Sequence, residues 1–292
     1  MELGQLRALR ELGDRGSITA VAAAMHVTPS SVSQQISALQ RRSAAPLTFK
    51  DGRRMALTDA GRALAAAAVD VEVALERAEQ AITRYQDDRS RVVSVAAFHS
   101  AALAFFPSLL TSPVSLSDFD VAQEEFPLLT ADIDLVLAHR LAGSPPWPSS
   151  VRVEPLLFEP LDVAMRRDHP LASKRVLEPS DLVDDEWVAV HEGFPLEQAI
   201  AVIAGAGGSE ARIAHRINEF RVAAAIVAAS SCIALLPRYT TDLHPDLVLR
   251  PLARPGIGRH IDCLARPETL ERTSVRAVLE QIRGVAARLA ER

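Results

Sequence analysis

The sequence predicts an α/β multidomain protein in which an N-terminal winged helix-turn-helix, a long linker helix and a larger α/β body follow one another. Three observations predict this order. Two short helical patterns flank a turn near the N-terminus and lead into a basic hairpin. Residues 59–86 contain no proline and have apolar residues at heptad spacing. From residue 92 onward, short apolar strand patterns alternate with helical ones, which is typical of mostly parallel sheets covered on both faces.

The first helix of the helix-turn-helix is predicted to run from Ser17 to Met25. Ser17 is a candidate N-cap because its hydroxyl can accept a hydrogen bond from an unpaired backbone N–H. Small side chains recur along one face and would let a second helix approach closely, namely Ala20, Ala23 and Ala24.

The second helix begins after a turn at His26 and Val27. Thr28 is its candidate cap, and Pro29 suits the first helical position, where a missing N–H is not needed. Its apolar stripe consists of Val32, Ile36 and Leu39, and its opposite face carries Ser30, Ser33, Gln34 and Ser37. A helix face that meets only water usually carries Glu and Lys. Short, uncharged hydrogen-bonding groups suit the major groove of duplex DNA, where side chains meet base edges.

A basic hairpin follows the second helix. Lys50, Arg53 and Arg54 surround the turn dipeptide Asp51-Gly52, so this wing can reach phosphates or the minor groove. A helical hairpin with one polar face leaves DNA binding open, because such hairpins also occur in other proteins. The adjacent basic wing completes a winged helix-turn-helix and favours double-stranded DNA as the partner.

The charge is distributed unevenly along the 292 residues, a length that suits two or three domains. Residues 1–58 contain eight Lys or Arg against four Asp or Glu, a net charge of +4, which leaves −9 for the rest of a chain whose total is −5. A basic head on an acidic body favours local contact with DNA and excludes a uniformly basic coat.

The linker helix is predicted from the heptad pattern. Apolar residues recur at alternating steps of four and three over about three heptads, at Leu64, Ala68, Val71, Leu75, Ala78, Ile82 and Tyr85. The pattern favours a coiled-coil homodimer, although a helix packed on its own domain would show it too. A dimer would place two heads on one axis, to bind half-sites about one turn of DNA apart or a multiple of that spacing.

The α/β body begins after a charged hinge at residues 87–91. Strands are predicted at residues 92–96, 119–122, 133–137, 151–158, 161–165, 187–190, 212–216, 233–237, 247–252 and 259–265. Helices are predicted at residues 101–110, 196–204, 219–229 and 273–289.

Several function classes are excluded or disfavoured. The sequence contains no GxGxxG after a strand, no P-loop, no HExxH and no GxSxG, so neither an enzyme nor a cofactor or metal site is expected. A solute-binding protein would suit the body, but no export signal is visible and the head would have no role. No uncharged apolar run reaches about 20 residues, so no membrane span is expected.

The two cysteines bear on location. Cys232 and Cys263 have no CxxC spacing, which indicates a reduced, cytoplasmic setting. Buried inert thiols are the favoured interpretation, and a redox role stays open.

The head resembles the N-terminal domain of LysR-type transcriptional regulators, in an actinobacterial-like variant. The resemblance is carried by Leu6, Ser17–Thr19, Ala22–Ala23, His26–Ser30, Val32–Ile36, Leu39, Leu47 and Leu57–Gly61. It implies groove contacts at Pro29, Ser30, Ser33 and Gln34 beside the cap Thr28, with a wing contact at Arg53 or Arg54. The chain departs from the family pattern at Gln40, Ser43-Ala44 and Leu47-Thr48, which predicts a looser turn after the second helix.

The body resembles the LysR effector domain, which is similar to type 2 periplasmic binding proteins. The resemblance is carried by residues 133–137, 168–172, 180–182 and 233–238. It implies a head at 1–58, a linker helix at 59–88 and an effector domain at 91–292, with lobe I at 91–162 and 266–292 and lobe II at 163–265. It also favours a homotetramer over a homodimer. The chain departs in a short segment between Pro107 and Asp134 and in having Ser230 and Cys232 where glycines are usual.

A small-molecule effector, with an anion as one candidate, is expected between the lobes. Ligands of open α/β sheets bind beyond the carboxyl ends of strands, where helix N-termini favour anions. Ser100 offers a cap, a hydroxyl donor and an amide donor after the first strand. In lobe II, His191 and Phe194 precede a helix and Asn218 can cap another, while Thr130 lies in the shortened segment. Ordinary capping by Ser100 and Asn218, and structural roles for the histidines, are the alternatives.

Overall fold

The computed structural model describes residues 1–51, 54–83, 92–192, 196–242 and 244–291, without the side chains of Thr83 and Glu197. The head comprises α1 (Leu3–Arg15), α2 (Ile18–Ala24), α3 (Pro29–Arg41), β1 (Thr48–Asp51) and β2 (Arg54–Leu57), and α4 (Asp59–Thr83) follows. None of the described helices combines the length and the apolar character needed to cross a bilayer.

The core of the head forms where α1, α3 and the start of α4 meet. The predicted stripe of α3 is confirmed, because Val32, Ile36 and Leu39 are all buried. They pack with buried leucines of α1 and with the half-buried Leu64 and the buried Ala68 of α4. One amphipathic face from each helix therefore closes this core.

The packing of α2 differs from the prediction. Ser17 occupies the N-cap position, but its side chain makes no capping hydrogen bond. Val21 and Ala22 are the buried residues of this helix. The larger Val21 faces the core, so the predicted contact face is wrong for Ala20, Ala23 and Ala24, which stay half-buried or exposed.

The turn after α3 is held by side chains, so the prediction of a looser turn is wrong. The amide of Gln40 donates to the Ala45 carbonyl at 3.0 Å and accepts from the Leu47 N–H at 2.8 Å. The Ser43 hydroxyl donates to the same Ala45 carbonyl at 2.9 Å. Gln40 can satisfy one donor and one acceptor of the turn because its amide carries both groups.

The predicted seam of α4 divides into two parts. Leu64 and Ala68 pack into the head, whereas Val71, Ala78 and Ile82 are exposed. The predicted Tyr85 and the hinge at 87–91 lie outside the described residues. A partner helix could therefore meet only the second half of the described seam.

The body contains β3 (Val93–Ala97), α5 (His99–Leu109), β4 (Val114–Asp118), α6 (Phe126–Leu129), β5 (Leu135–Leu141), β6 (Arg152–Arg166), β7 (Glu186–Ala189), α7 (Glu197–Ala206), β8 (Arg212–Arg216), α8 (Phe220–Ala229), β9 (Ile233–Pro237), β10 (Leu247–Arg250), β11 (Gly258–Ala265) and α9 (Thr273–Ala290). Short 3-10 turns lie at Gln123–Glu125, Pro179–Leu182 and Thr269–Glu271.

The strands form a mixed sheet rather than the mostly parallel sheets that were predicted. Their order is β4-β3-β5-β11-β6-β9-β7-β8, with β10 also paired to β6. Parallel pairs lie toward both ends, while β11 and β6 run antiparallel to their neighbours in the centre. The centre is antiparallel because the chain crosses between two lobes there.

The strand β6 connects the two lobes without the predicted break. Its first part pairs with β11, and residues 161–166 pair with β9 and β10. β11 pairs with β5, and its side chains enter the same core as β3 and α9. The prediction that residues 259–265 belong to lobe II is therefore wrong, because this strand completes lobe I.

One predicted strand is misplaced. Residues 119–122 do not form a strand, because β4 ends at Asp118 and the Phe119 N–H donates to the Ala97 carbonyl at 2.9 Å beyond it. The alternating sequence of β4 pairs in parallel with β3. The segment after it contains only a 3-10 turn and the four-residue α6, which agrees with the shortened segment seen in the sequence.

Gly61→Ala is expected to destabilise the protein. A Cβ at residue 61 would lie 2.0 Å from the Leu47 carbonyl oxygen, and relieving such an overlap costs about 1–3 kcal/mol. Thermal unfolding followed by circular dichroism should show a lower midpoint. The control is Gly205→Ala in α7, where the new Cβ meets open space and helix propensity should stabilise by about 0.5–1 kcal/mol. Equal midpoints for the two variants would contradict this packing.

Candidate nucleic-acid interface and inter-lobe cavity

The start of α3 is built by local hydrogen bonds. The Thr28 hydroxyl accepts from the Ser31 N–H at 3.2 Å and lies 2.9 Å from the Ser30 hydroxyl, so the predicted cap is confirmed. Pro29 occupies the first turn. His26 has a φ of 54°, which reverses the chain tightly between α2 and α3.

The polar face of α3 is accessible. Thr28, Pro29 and the predicted set Ser30, Ser33, Gln34 and Ser37 are all exposed. They point outward because the opposite side of the helix is buried beneath α1. The exposed groups are neutral donors and acceptors at a helix N-terminus, the arrangement that can read base edges while backbone amides meet phosphate.

The wing is a two-stranded hairpin that packs against the end of α1. β1 and β2 pair antiparallel with Asp51 opposite Arg54, and the Met55 N–H donates to the Gly16 carbonyl at 3.3 Å. Lys50 and Arg54 are exposed. The predicted contact Arg53 lies outside the described residues, as does Gly52.

A second candidate site is a cavity of about 60 Å³ between the lobes. Lobe I contributes Phe98, His99, Ser100, Asp120, Val121, His139 and Arg259, and lobe II contributes Val190, Leu196, Asn218, Glu219 and Phe220. The predicted Ser100 and Asn218 thus meet across one cavity. His191 and Thr130 do not line it, and Phe194 lies outside the described residues.

Ser100 reaches the cavity in a different role from the predicted cap. It is the second residue of α5, whose N-cap position is taken by Phe98, and its side chain is buried. Its hydroxyl accepts a hydrogen bond from Arg259 Nη2 at 2.8 Å. Ser100 therefore connects the helix N-terminus to a buried cation.

The other predicted effector residues also have roles that sequence did not indicate. Glu219 caps α8 by accepting from the Val222 N–H at 2.8 Å, whereas Asn218 accepts from the His191 N–H at 2.8 Å. The prediction of Asn218 as a cap is therefore wrong, because the next residue reaches the helix instead. The Thr130 hydroxyl is buried and donates to the Pro127 carbonyl at 2.6 Å, within α6.

Arg259 forms the floor of the cavity and was missed in the sequence. It is 1% exposed and donates to Glu159 through Nε at 2.9 Å and Nη2 at 2.8 Å. Its guanidinium lies 4.7 Å from the ring centre of Phe98 and 5.6 Å from that of Phe220. Burial lowers the pKa of Arg259 while Glu159 opposes that shift. The only signal for it in the sequence was a charged residue near the start of a partly apolar strand.

His139 forms one wall of the cavity and was also missed. Its ring is 8% exposed and packs edge-on against Phe98. Burial, with a smaller contribution from Arg259, lowers the pKa of His139 to about 3. The ring is therefore neutral at physiological pH, and its Nδ1 has no hydrogen-bond partner among the described residues.

Two carboxylates stand on opposite sides of the cavity. Asp120 follows β4 in lobe I, and Glu219 precedes α8 in lobe II. Partial burial raises the pKa of Asp120 and Glu219 raises it further, while His99 lowers it. His99 itself lies 3.3 Å from Asp118 through Nδ1. The floor of the cavity thus carries the guanidinium of the Arg259–Glu159 ion pair, and the mouth carries two carboxylates.

The head is joined to the body by a cluster of ion pairs that we call the head clasp, comprising Arg10, Glu11, Asp14, Arg15, Glu72, Asp132, Arg266 and Glu268. Arg266 donates to Glu11 at 2.5 Å and to Asp14 at 2.6 Å. Arg10 pairs with Glu268 at 2.7 Å and with Glu72, and Arg15 pairs with Asp132 at 2.8 Å.

The clasp charges are partly removed from water. Burial alone would raise the pKa of Glu11, but Arg266 and Arg15 hold it below its ordinary value. Burial raises the pKa of Asp14 despite Arg266. Arg266 from the body is therefore the ion-pair partner of Asp14 and, with Arg15 of α1, one of two partners of Glu11.

One strand connects the cavity with the clasp. Arg259 lies near the start of β11, and Arg266 follows its last residue, Ala265. Seven residues of extended chain span about 23 Å. The neighbouring β5 carries His139 toward the cavity, and Asp132 of the clasp precedes its start. The cavity and the head clasp therefore share two paired strands.

The two thiols are free and buried. Burial raises the pKa of Cys263 to about 12. Within the described ranges, no group of His, Cys, Asp and Glu is placed to hold a metal ion.

Comparison with known proteins matches both parts of the chain to families. The model of the bacterial regulatory helix-turn-helix protein, lysR family, matches residues 3–62, and the LysR substrate binding domain matches residues 86–287. The transcriptional dual regulator GltC of Bacillus subtilis (strain 168) is 25% identical over 290 residues, which cover 93% of this chain and 92% of that protein.

Two solved structures are similar in fold. A full-length OxyR variant from Pseudomonas aeruginosa has a TM-score of 0.65 at 19% identity, covering 97% of this chain and 95% of that chain. Full-length CbnR in complex with its target DNA has a TM-score of 0.52 at 22% identity, covering 98% of this chain and 100% of that chain. At these identities the two structures show the fold alone.

Arg266→Met is expected to destabilise the protein by about 3 kcal/mol near neutral pH, because it leaves the half-buried Asp14 without an ion-pair partner and Glu11 with Arg15 alone. In the wild type, the lowered pKa of Glu11 makes its pair stabilising at neutral pH, and that contribution is lost as the pH falls through this pKa. In the variant both carboxyls protonate more readily. The difference in unfolding midpoint between variant and wild type should therefore shrink as the pH is lowered.

The matched control is Arg283→Met, whose pairs with Glu154 and Glu280 are at the surface and should contribute about 0–1 kcal/mol. A pH-independent difference for Arg266→Met would contradict the clasp.

Native Cys232 and Cys263 are expected to resist a thiol reagent such as DTNB. A thiol with a pKa of about 12 is about 0.01% thiolate at pH 8, and burial also blocks access. Both should react once the chain is unfolded in denaturant. A Ser180→Cys variant at an exposed position provides the positive control, and rapid modification of either native thiol in the folded protein would favour a redox role.

Proposed function

The chain belongs to the LysR family of DNA-binding transcriptional regulators, and we propose that α3 enters the major groove of its promoter DNA while the wing contacts the flanking backbone. Regulators of this family bind promoter DNA and small-molecule effectors, form oligomers and are not enzymes. We assign the groove contacts to Thr28, Pro29, Ser30, Ser33 and Gln34.

The single observation that supports this proposal is the exposure of an uncharged polar face on α3 whose opposite side is buried. The exposed cations Lys50 and Arg54 lie on the adjacent hairpin, and we propose that Arg53 joins them. Neutral groups can discriminate bases, whereas the cations neutralise phosphates without regard to sequence.

We propose that the effector binds in the inter-lobe cavity. Ser100 and Asn218 both line it, and an acidic group of the effector would suit the start of α5. His191 would act through its backbone bond to Asn218, and Phe194 remains a candidate. Thr130 is not retained, because its hydroxyl is already bonded within α6. We further propose a head at 1–58, a linker at 59–88, lobe I at 91–160 and 258–292, and lobe II at 161–257.

The effector would act by favouring one closure of the lobes over another. A ligand shifts such an equilibrium only by its difference in affinity for the two states. Arg259 and His139 line the cavity. The strands that carry them, β11 and β5, lead to the head clasp. The orientation of the head would therefore depend on occupation of the cavity.

We propose that the regulator is a cytoplasmic homodimer or homotetramer. The support is the exposed part of the α4 seam at Val71, Ala78 and Ile82, which offers an apolar stripe to a second copy. Two copies joined there would present two recognition helices to neighbouring half-sites.

Ser33→Ala and Gln34→Ala are expected to reduce discrimination between the upstream promoter duplex and a scrambled duplex. A lost base contact removes about 1–3 kcal/mol of discrimination. Fluorescence anisotropy with both duplexes over a range of salt concentrations measures this. Ser180→Ala, an exposed serine of lobe II, is the control, and equal losses on both duplexes would count against the assignment.

Arg54→Ala is expected to weaken binding to both duplexes similarly and to reduce the slope of log affinity against log salt by about 1. Arg175→Ala removes an exposed charge of lobe II and should leave the slope nearly unchanged. If both arginine variants changed the slope equally, overall charge rather than the wing would be responsible.

A further inference from the structure

The polar groups at the floor of the cavity are donors. The Ser100 hydroxyl accepts from Arg259, so its own hydrogen is free to donate. Nε and Nη2 of Arg259 are engaged, whereas Nη1 makes no hydrogen bond within the part of the chain that the structure describes. The N-cap residue Phe98 gives α5 no side-chain cap, so amides of its first turn face the same end. A carboxylate suits this set of donors.

His139 gives independent support for a ligand site in this cavity. More than nine-tenths of its surface is buried, yet its Nδ1 has no partner among the described residues. An unpaired buried polar group costs about 1–3 kcal/mol, which a ligand in the cavity can recover. Because the ring is neutral, it can hydrogen-bond to a ligand without adding charge.

The mouth has the opposite electrostatic character. Asp120 and Glu219 belong to different lobes. The negative charge of Glu219 repels that of Asp120 and raises the pKa of Asp120. The other polar residues at the mouth are His99, which pairs with Asp118, and Asn218, whose carbonyl oxygen is engaged by the His191 N–H. A cation between the two carboxylates would remove their repulsion and favour closure of the lobes.

We propose that the effector is a small zwitterion of the amino-acid class, with its carboxylate at Ser100, Arg259 and the start of α5, and its ammonium between Asp120 and Glu219. This inference rests on the proposed regulatory function and names the effector chemistry. A simple carboxylate would leave the acidic mouth uncompensated, and a simple amine would leave the floor donors unpaired. The cavity is small, at about 60 Å³. It suits the ammonium and carboxylate groups of an amino acid, and a larger side chain would extend out through the mouth.

The test is calorimetric titration of the full-length protein with the common L-amino acids. Each amino acid that binds is compared with two analogues, the acid without the amine and the amine without the carboxylate. For L-alanine these analogues are propionate and ethylamine. The expected result is binding of at least one amino acid, with affinity at least about ten-fold above both analogues, a difference of about 1.4 kcal/mol. Equal binding of the acid analogue, or binding of no amino acid, would overturn the proposal.

Asp120→Asn separates the two ends of the ligand. Asp120 is exposed and makes no hydrogen bond that supports the fold of the described residues, so the variant should remain folded. The amino-acid affinity should fall about ten-fold, while the affinity for the acid analogue stays the same or rises. The control is Asp184→Asn, at an exposed aspartate that lies in lobe II away from the cavity, and it should change neither affinity. Unchanged amino-acid affinity in Asp120→Asn would refute the assigned ammonium site.

Ser100→Ala tests the carboxylate end. It should weaken the amino acid and the acid analogue by the same factor and leave the amine analogue unaffected. Binding of the same protein to its promoter duplex is measured in parallel. If the wild-type protein binds its promoter duplex but no amino acid, the zwitterion proposal is rejected and the regulatory function stands. If the wild-type protein shows no preference for its promoter duplex over a scrambled duplex, the regulatory function itself is rejected.

Discussion

The burial of one apolar stripe on α3 determines what the head can contact. Val32, Ile36 and Leu39 lie beneath α1, and an amphipathic helix with one buried apolar stripe turns its polar side to the solvent. The polar residues on the other side must therefore face outward, whatever their role. Thr28 and Pro29 set where the helix starts, so its polar first turn belongs to this exposed face. The DNA-binding function follows from this geometry together with the family.

The head clasp adds a second constraint, because it ties that surface to the body. Buried ion pairs contribute little net stability when both charges lose water, but they favour one geometry strongly. Arg266 satisfies two carboxylates of α1 from the end of β11, and Arg259 near the other end of the same strand lies in the inter-lobe cavity. The inter-lobe cavity and the head clasp therefore lie along one continuous strand.

The sequence predicted features that depend on local rules. The cap at Thr28, the stripe of α3 and the strand at residues 233–237 all follow from spacing and residue type. The positions of other strands depend on long-range pairing, which local rules do not reveal. A strand was predicted at residues 119–122 and missed at Val114–Asp118, where the chain pairs with β3.

The cavity was predictable only in part. Ser100 was found because it follows a strand, but its partner Arg259 lies 159 residues away. Capping rules could not choose between Asn218 and Glu219, since either side chain can accept an amide hydrogen bond. The placement of β11 in lobe I depends on its pairing with β5, which no local pattern reveals. Arg259 and His139 carry only the weak signal of a polar residue within an apolar strand.

The most direct test of the account is the alkylation rate of a Ser33→Cys variant, because both native thiols are buried. The account predicts rapid alkylation in the free protein, about ten-fold slower alkylation when the promoter duplex is bound, and little slowing by a scrambled duplex. The same rate with and without promoter DNA, under conditions where the protein is bound, would show that α3 does not enter the duplex and would contradict the central claim.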